Sequence, residues 1–142
     1  MKVLSDEIYK EVQTLSNEGN DFFEKRQFLR ALQKYKAALS LVPEPKTKWE
    51  ASTWLYTSIG DVNFSEENFS VAKENYYNAL NCPNAIQNPY INLSLGQTLY
   101  EMEKFEQSGK FLMIAYMSEG KDIFEDEDPK YLESIADLIS RP

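Results

Sequence analysis

The chain has 142 residues, 42% apolar, 27% charged and 13% aromatic, which suits one folded domain and argues against disorder. Its net charge is −8 with no histidine, so phosphate backbones are poor partners and histidine-based acid–base, Ser–His–Asp or Cys–His catalysis is excluded. Cys82 is the one cysteine, which rules out an internal disulfide and predicts a small buried side chain near a helix end. The opening MKVLSDEIYK turns acidic too early for a signal peptide, and FLMIAYM is too short to cross a bilayer, so a cytosolic protein away from membranes is expected.

Ser5 is placed to cap a first helix, with Asp6 and Glu7 in its first turn and Ile8, Val12 and Leu15 as its apolar stripe. Gly19 follows as an anchor. Phe22 lies three residues on, Ala31 twelve, Tyr35 sixteen, Ala38 nineteen and Pro43 twenty-four. Between them, FLRALQKYKAALSLVP reads as one amphipathic helix running into a proline. From Gly60 the same offsets reach Ala72, Tyr76 and Ala79, with Pro83 one residue early and Asn63 where a large aromatic is usual. From Gly96 they reach Ser108, Leu112 and Ala115, and Gly120 stands in the proline place. Turns at EKRQ, SEEN and EMEK fall in the same place in each unit. The extra residues between units collect at PEPKTK and around NAIQNP.

Beyond the third unit, Asp128 and Pro129 form a helix start. Leu132, Ile135, Ala136 and Ile139 repeat the spacing of Tyr56, Ile59, Gly60 and Asn63, which puts Ala136 in the glycine position. A stacked array leaves an apolar face open at its end, and this segment is expected to cover Phe111, Leu112 and Tyr116.

Three units in one register resemble the tetratricopeptide repeat (TPR), a helix–turn–helix unit. The alternative, a helical bundle with accidental periodicity, does not explain the shared turns. The resemblance implies an all-α, right-handed TPR superhelix filling a single domain, 1–142. Repeats are expected at about 12–45, 53–86 and 89–122, with a capping helix at about 129–140, seven helices in all.

No P-loop, GxGxxG or EF-hand spacing is present, so no catalytic residue, metal site or cofactor is assigned. The run EGKDIFEDEDP fails the calcium pattern and reads as a solvated acidic loop or an electrostatic patch. The last 42 residues hold 5 basic and 11 acidic side chains, −6 of the total −8.

The resemblance also implies a concave groove lined by the first helices of each pair. Its positions fall on Gln13, Ser16, Asn17, Asn20 and Phe23 in the first unit, and on Trp54, Thr57, Ser58, Asp61 and Phe64 in the second. The third unit supplies Tyr90, Leu93, Ser94, Gln97 and Tyr100, and the closing helix Lys130, Glu133, Ser134 and Asp137. Phe23, Phe64 and Tyr100 share one register position, either as groove anchors or as rings packed between helices; Trp54 and Tyr90 are the better candidates for exposed anchors. Chaperone-binding TPR domains hold a carboxylate tail with two lysines, two asparagines and an arginine. Here Asn20 keeps one asparagine, while Ser16, Ser58, Tyr90 and Ser94 stand at the other four, which disfavours an acidic peptide tail. The implied function is non-catalytic binding of a protein or peptide of basic character. The compact build and the tail also look like small bacterial TPR proteins, some of them immunity proteins that block a toxin; the alternative is a scaffold or co-chaperone adaptor reading a peptide.

Overall fold

A computed structural model of the chain describes residues 4–140. Three antiparallel helix pairs follow one another: α1 (Asp6–Glu24) with α2 (Phe28–Ser40), α3 (Glu50–Ser65) with α4 (Phe69–Leu80), and α5 (Pro89–Glu101) with α6 (Phe105–Glu119). Each pair stacks on the next through α2 against α3 and α4 against α5. No strand occurs among the described residues. Two 3-10 turns, Lys46–Lys48 and Gly120–Phe124, sit in the connections before α3 and after α6.

Helix crossings explain the glycine anchors. A Cβ at Gly19 would lie 2.7 Å from Tyr35 Cε1, one at Gly60 2.7 Å from Tyr76 Cε1, and one at Gly96 2.6 Å from Leu112 Cδ2. The ring or leucine side chain of the second helix thus rests on the bare backbone of the first. Ala31, Ala38, Ala72, Ala79 and Ala115 are buried where the helices close up.

The turns share one geometry. Arg26, Glu67 and Glu103 each adopt φ near +60° (59°, 61° and 60°), and the next amide donates back to Phe22, Asn63 and Leu99 carbonyls at 2.9, 2.8 and 2.9 Å. This is the left-handed C-terminal stop of a helix, made here by residues other than glycine. Asn63, the departure from the aromatic pattern, satisfies its amide locally by donating to the Ile59 carbonyl at 2.8 Å. Asn63 lines a hollow of about 610 Å³ between α2, α3 and α4, bordered also by Leu32, Leu39 and Val71.

The expected caps are present: Ser5 accepts from the Ile8 amide at 3.3 Å, and Asp128 from the Lys130 amide at 3.0 Å. In the PEPKTK insertion, Lys46 Nζ donates to the Leu39 and Val42 carbonyls at 3.1 and 2.8 Å, satisfying the end of α2. Cys82 is buried just beyond α4, its thiol 3.4 Å from the Asn78 carbonyl and pushed up in pKa by burial.

The closing segment differs from the expected single helix. It forms two short helices, α7 (Pro129–Ser134) and α8 (Ala136–Ser140), broken at Ile135, which gives eight α-helices among the described residues rather than seven. Ile135 is fully buried under α6 while Ala136 is exposed, so Ala136 does not occupy a crossing like those of the three glycines. No second helix follows among the described residues to press on it. The cover is shared with the preceding loop. Phe124, Tyr131 and Ile135 close over Leu93, Leu112 and Ala115, with Tyr116 at the margin. Phe111 lies elsewhere, its ring 5.9 Å from Tyr77 on the preceding pair.

Candidate functional site

The inner surface is formed by α1, α3 and α5, and it is divided into two hollows of different character. The first, about 530 Å³, opens between α1 and α3. Its walls include Gln13, Asn17 and Asn20 from α1 and Trp54 and Ser58 from α3. Glu50 is the one charged residue on its wall among the described residues. Trp54 is 50% exposed, a large apolar surface left to solvent beside polar amides and hydroxyls.

The second hollow, about 340 Å³, lies between α3, α5 and the loop that follows α6. Phe23, Asp61, Phe64, Tyr90, Ser94 and Gln97 meet there, joined by residues the groove pattern did not include: Tyr76 from α4, and Asp122, Ile123, Asp126 and Glu127 from the loop. Asp61 Oδ1 accepts from the Tyr76 hydroxyl at 2.5 Å, and Oδ2 from the Tyr90 hydroxyl at 3.0 Å. Burial lifts the Asp61 carboxyl to about 6, although both phenols favour its charged form. The phenols respond in turn: Tyr76 and Tyr90 are both raised, first by burial and then by the Asp61 charge. Gln97 donates from Nε2 to Glu127, tying α5 to the loop.

A repeat rule underlies the contrast. The residue after each anchor glycine is Asn20, Asp61 or Gln97. Tyr35 donates to Asn20 Oδ1 at 2.6 Å as Tyr76 does to Asp61. In the third unit Leu112 replaces the tyrosine, so Gln97 has no phenol to accept from and reaches Glu127 instead.

The aromatic series is half-buried. Phe23, Phe64 and Tyr100 pack on the first residue of the following helix, with ring centroids 5.7 Å from Phe28, 5.3 Å from Phe69 and 5.1 Å from Phe105. Phe23 and Phe64 still present a side to the second hollow. Tyr100 does not; Tyr131 covers it at 5.3 Å, and Lys130, paired with Glu101 at 3.0 Å, lies over its ring. Glu133 borders a separate hollow of about 600 Å³ at the C-terminal end, and Asp137 is exposed beyond both inner hollows. The structure therefore brings eleven of the fourteen expected residues to the two inner hollows, and leaves Tyr100, Glu133 and Asp137 outside them. The loop acids were legible only as a charge run, because no periodicity fixes where such a loop folds.

No group of three or more acidic or cysteine side chains is arranged to hold a metal ion among the described residues. Neither does any described helix have the length and apolarity to cross a membrane.

Paired helices stacked in register, glycine crossings and an inner surface of first helices define the fold as a TPR solenoid. Solved structures share it. The TPR domain of Arabidopsis OM64 is similar over 93% of this chain and 97% of that one, with a TM-score of 0.70 at 13% identity. The second TPR domain of human RPAP3, in complex with the HSP70 peptide SGPTIEEVD, is similar over 94% of this chain and 99% of that one, with a TM-score of 0.68 at 10% identity. No family model matches the sequence, and no curated protein matches it.

Proposed function

We propose that this protein is a non-catalytic protein-interaction module of the cytoplasm that binds a basic partner along its inner surface. The observation that carries this reading is the pair of inner hollows. One offers a half-exposed tryptophan among mostly neutral polar groups, the other four carboxylates, and neither has a lysine or arginine on its wall among the described residues. The partner-contacting residues are then Gln13, Asn17, Asn20, Trp54 and Ser58 in the first, and Phe23, Asp61, Phe64, Tyr90, Ser94 and Gln97 in the second, with Tyr100, Glu133 and Asp137 in supporting positions.

The RPAP3 neighbour supports the idea that this architecture can seat a peptide. Its peptide ends in acidic residues, and the two inner hollows have no cation among the described residues to meet such an end. A scaffold or adaptor role toward a neutral or basic segment fits better than a grip on an acidic tail. A second reading, an immunity-type inhibitor of a basic toxin, is favoured by the charge asymmetry: −6 of the net −8 lies in the last 42 residues, and part of it walls the second hollow.

The test is capture from a lysate of the native cell on immobilised protein. A partner held by the wild type and lost with Trp54→Ala supports the groove reading. A partner held equally by the wild type, Trp54→Ala and Tyr90→Ala contradicts it.

A further inference from the structure

The two ends of the array carry opposite charge. At the C-terminal end, the hollow of about 600 Å³ has Tyr116, Leu132 and Ile139 on its apolar wall, each only partly covered by the rest of the chain. Around them stand Asp122, Glu125, Glu127 and Glu133, against Lys121 as the one cation among the described residues of the wall. At the other end, residues 25–42 hold five cations and no acid, in a chain of net charge −8. Arg26 in the turn and Leu29, Arg30, Gln33 and Lys36 on α2 are exposed at helical spacing on its outer side. Lys34 pairs with Glu18 at 3.3 Å, whereas Lys25, Arg26, Arg30 and Lys36 form no ion pair among the described residues. Arg26 lies over the Phe28 ring at 5.1 Å and Arg30 over the Phe22 ring at 5.7 Å, which holds both guanidiniums beside the start of α2. Leu29, between them in sequence, is 72% exposed. A lone exposed leucine is ordinary, but one flanked by unpaired cations matches an acid-rimmed apolar hollow in both shape and charge.

We propose that the C-terminal hollow is the docking site for the outer face of α2 from a second copy of this chain. Leu29 enters beside Leu132 and Ile139, and Arg26, Arg30 and Lys36 meet the carboxylates on the rim. Charge selects this occupant: the hollow suits an apolar side chain bordered by cations, and α2 carries that combination. A chain cannot fill its own hollow this way, because the second helix pair lies between α2 and the third pair. The two surfaces differ, so the contact is heterologous. It closes into a dimer where two copies exchange it reciprocally and otherwise runs on as an open chain. One apolar side chain and a few exposed ion pairs make a weak contact, and the net charge of −8 on each copy opposes it, so it forms only in concentrated protein. The docking is independent of the groove reading, although Asp122 and Glu127 border both hollows.

The test is sedimentation of the full chain from about 10 μM to about 1 mM, joined to NMR of mixed variants. The average mass of the wild type should rise with concentration. Leu29→Asp removes the apolar knob, and aspartate suits the first turn of a helix, so this variant keeps its helical spectrum. Glu125→Lys with Glu133→Lys reverses the rim and takes the net charge from −8 to −4, which by itself favours association. Each variant alone should nevertheless stay monomeric. In a mixture, the rim variant still offers α2 and the Leu29→Asp chain still offers the hollow. The unlabelled rim variant should therefore shift the Leu132 and Ile139 methyl signals of the isotope-labelled Leu29→Asp chain. A wild type that stays monomeric to about 1 mM overturns the proposal and leaves both surfaces to foreign partners. So does either variant that associates as the wild type does, or a mixture that shifts neither Leu132 nor Ile139.

Discussion

The two halves of the inner surface are built on the same repeat and end as different sites. Between α1 and α3 the hollow is larger, mostly neutral and marked by Trp54; between α3 and α5 it is smaller, takes part of its wall from the 120–128 loop and carries four carboxylates. The framework is common: glycine crossings, a tyrosine donating to the next residue, and left-handed turns at Arg26, Glu67 and Glu103. What differs is one residue after the glycine, Asn20 against Asp61, and an insertion long enough to fold back. In a solenoid, backbone geometry is thus inherited by every unit, while charge and lining are set locally by one side chain and one connection.

The largest effect should come from removing the segment that caps the second half. Truncation after Gly120 deletes Phe124, Tyr131 and Ile135 and uncovers Leu93, Leu112 and Ala115. Losing three buried side chains should cost on the order of 5 kcal/mol and promote self-association. Denaturant unfolding and light scattering read both. A truncated chain that stays monomeric and equally stable would show that the second half needs no closing segment.

Gly60→Leu strikes what the halves share. A side chain there meets the Tyr76 ring, whose hydroxyl also orients Asp61. We expect a loss on the order of 1–3 kcal/mol by thermal unfolding. An unchanged melting temperature would mean that this helix crossing is looser than a 2.7 Å approach implies.

Asp61→Asn sharpens the charge difference. The folded state holds the Asp61 proton up to about pH 6, above the ordinary value of 3.8. The stabilising contribution of this group is therefore complete below about pH 4 and is lost as pH rises through 6. The asparagine variant should keep that contribution and exceed the wild type by about 1–2 kcal/mol at pH 7, with the gap closing toward pH 4. Parallel stability curves for the two proteins would contradict the buried carboxylate.

The smallest effect belongs to the shared turns. Glu67 sits at φ 61°, a region that favours glycine. Glu67→Gly should stabilise by up to about 1 kcal/mol, and Arg26→Gly and Glu103→Gly should behave alike in urea titrations. Unequal responses would show that the turns are not equivalent.

The fold was legible because its signal is periodic. Gly60 and Tyr76 stand sixteen residues apart since one ring must cover one bare backbone crossing, and the same constraint acts on Gly19 with Tyr35 and on Gly96 with Leu112. The closing segment was legible only in part. Its apolar spacing places Ile135 inside, but the helix breaks at that buried residue, which no periodicity encodes. Asp61, Tyr90 and Gln97 were found by register. Their joining with Tyr76 and with the loop was not, because Asp126 and Glu127 reach the groove through a chain reversal after Gly120, at φ 69°, that no repeat pattern encodes.

The most direct measurement is the binding kinetics of a captured partner by stopped flow across ionic strength. Glu125, Asp126, Glu127 and Asp128 are replaced by their amides in one variant, Asp128→Asn retaining the α7 cap. The Debye length falls from about 10 Å at 0.1 M to about 3 Å at 1 M salt, so loop charges steer only at low salt. The neutral-loop variant should associate more slowly than the wild type at low salt and match it at high salt, while Trp54→Ala and Tyr90→Ala should mainly speed dissociation. Equal association at low salt, together with dissociation unchanged by both aromatic replacements, would contradict a basic partner seated on this inner surface.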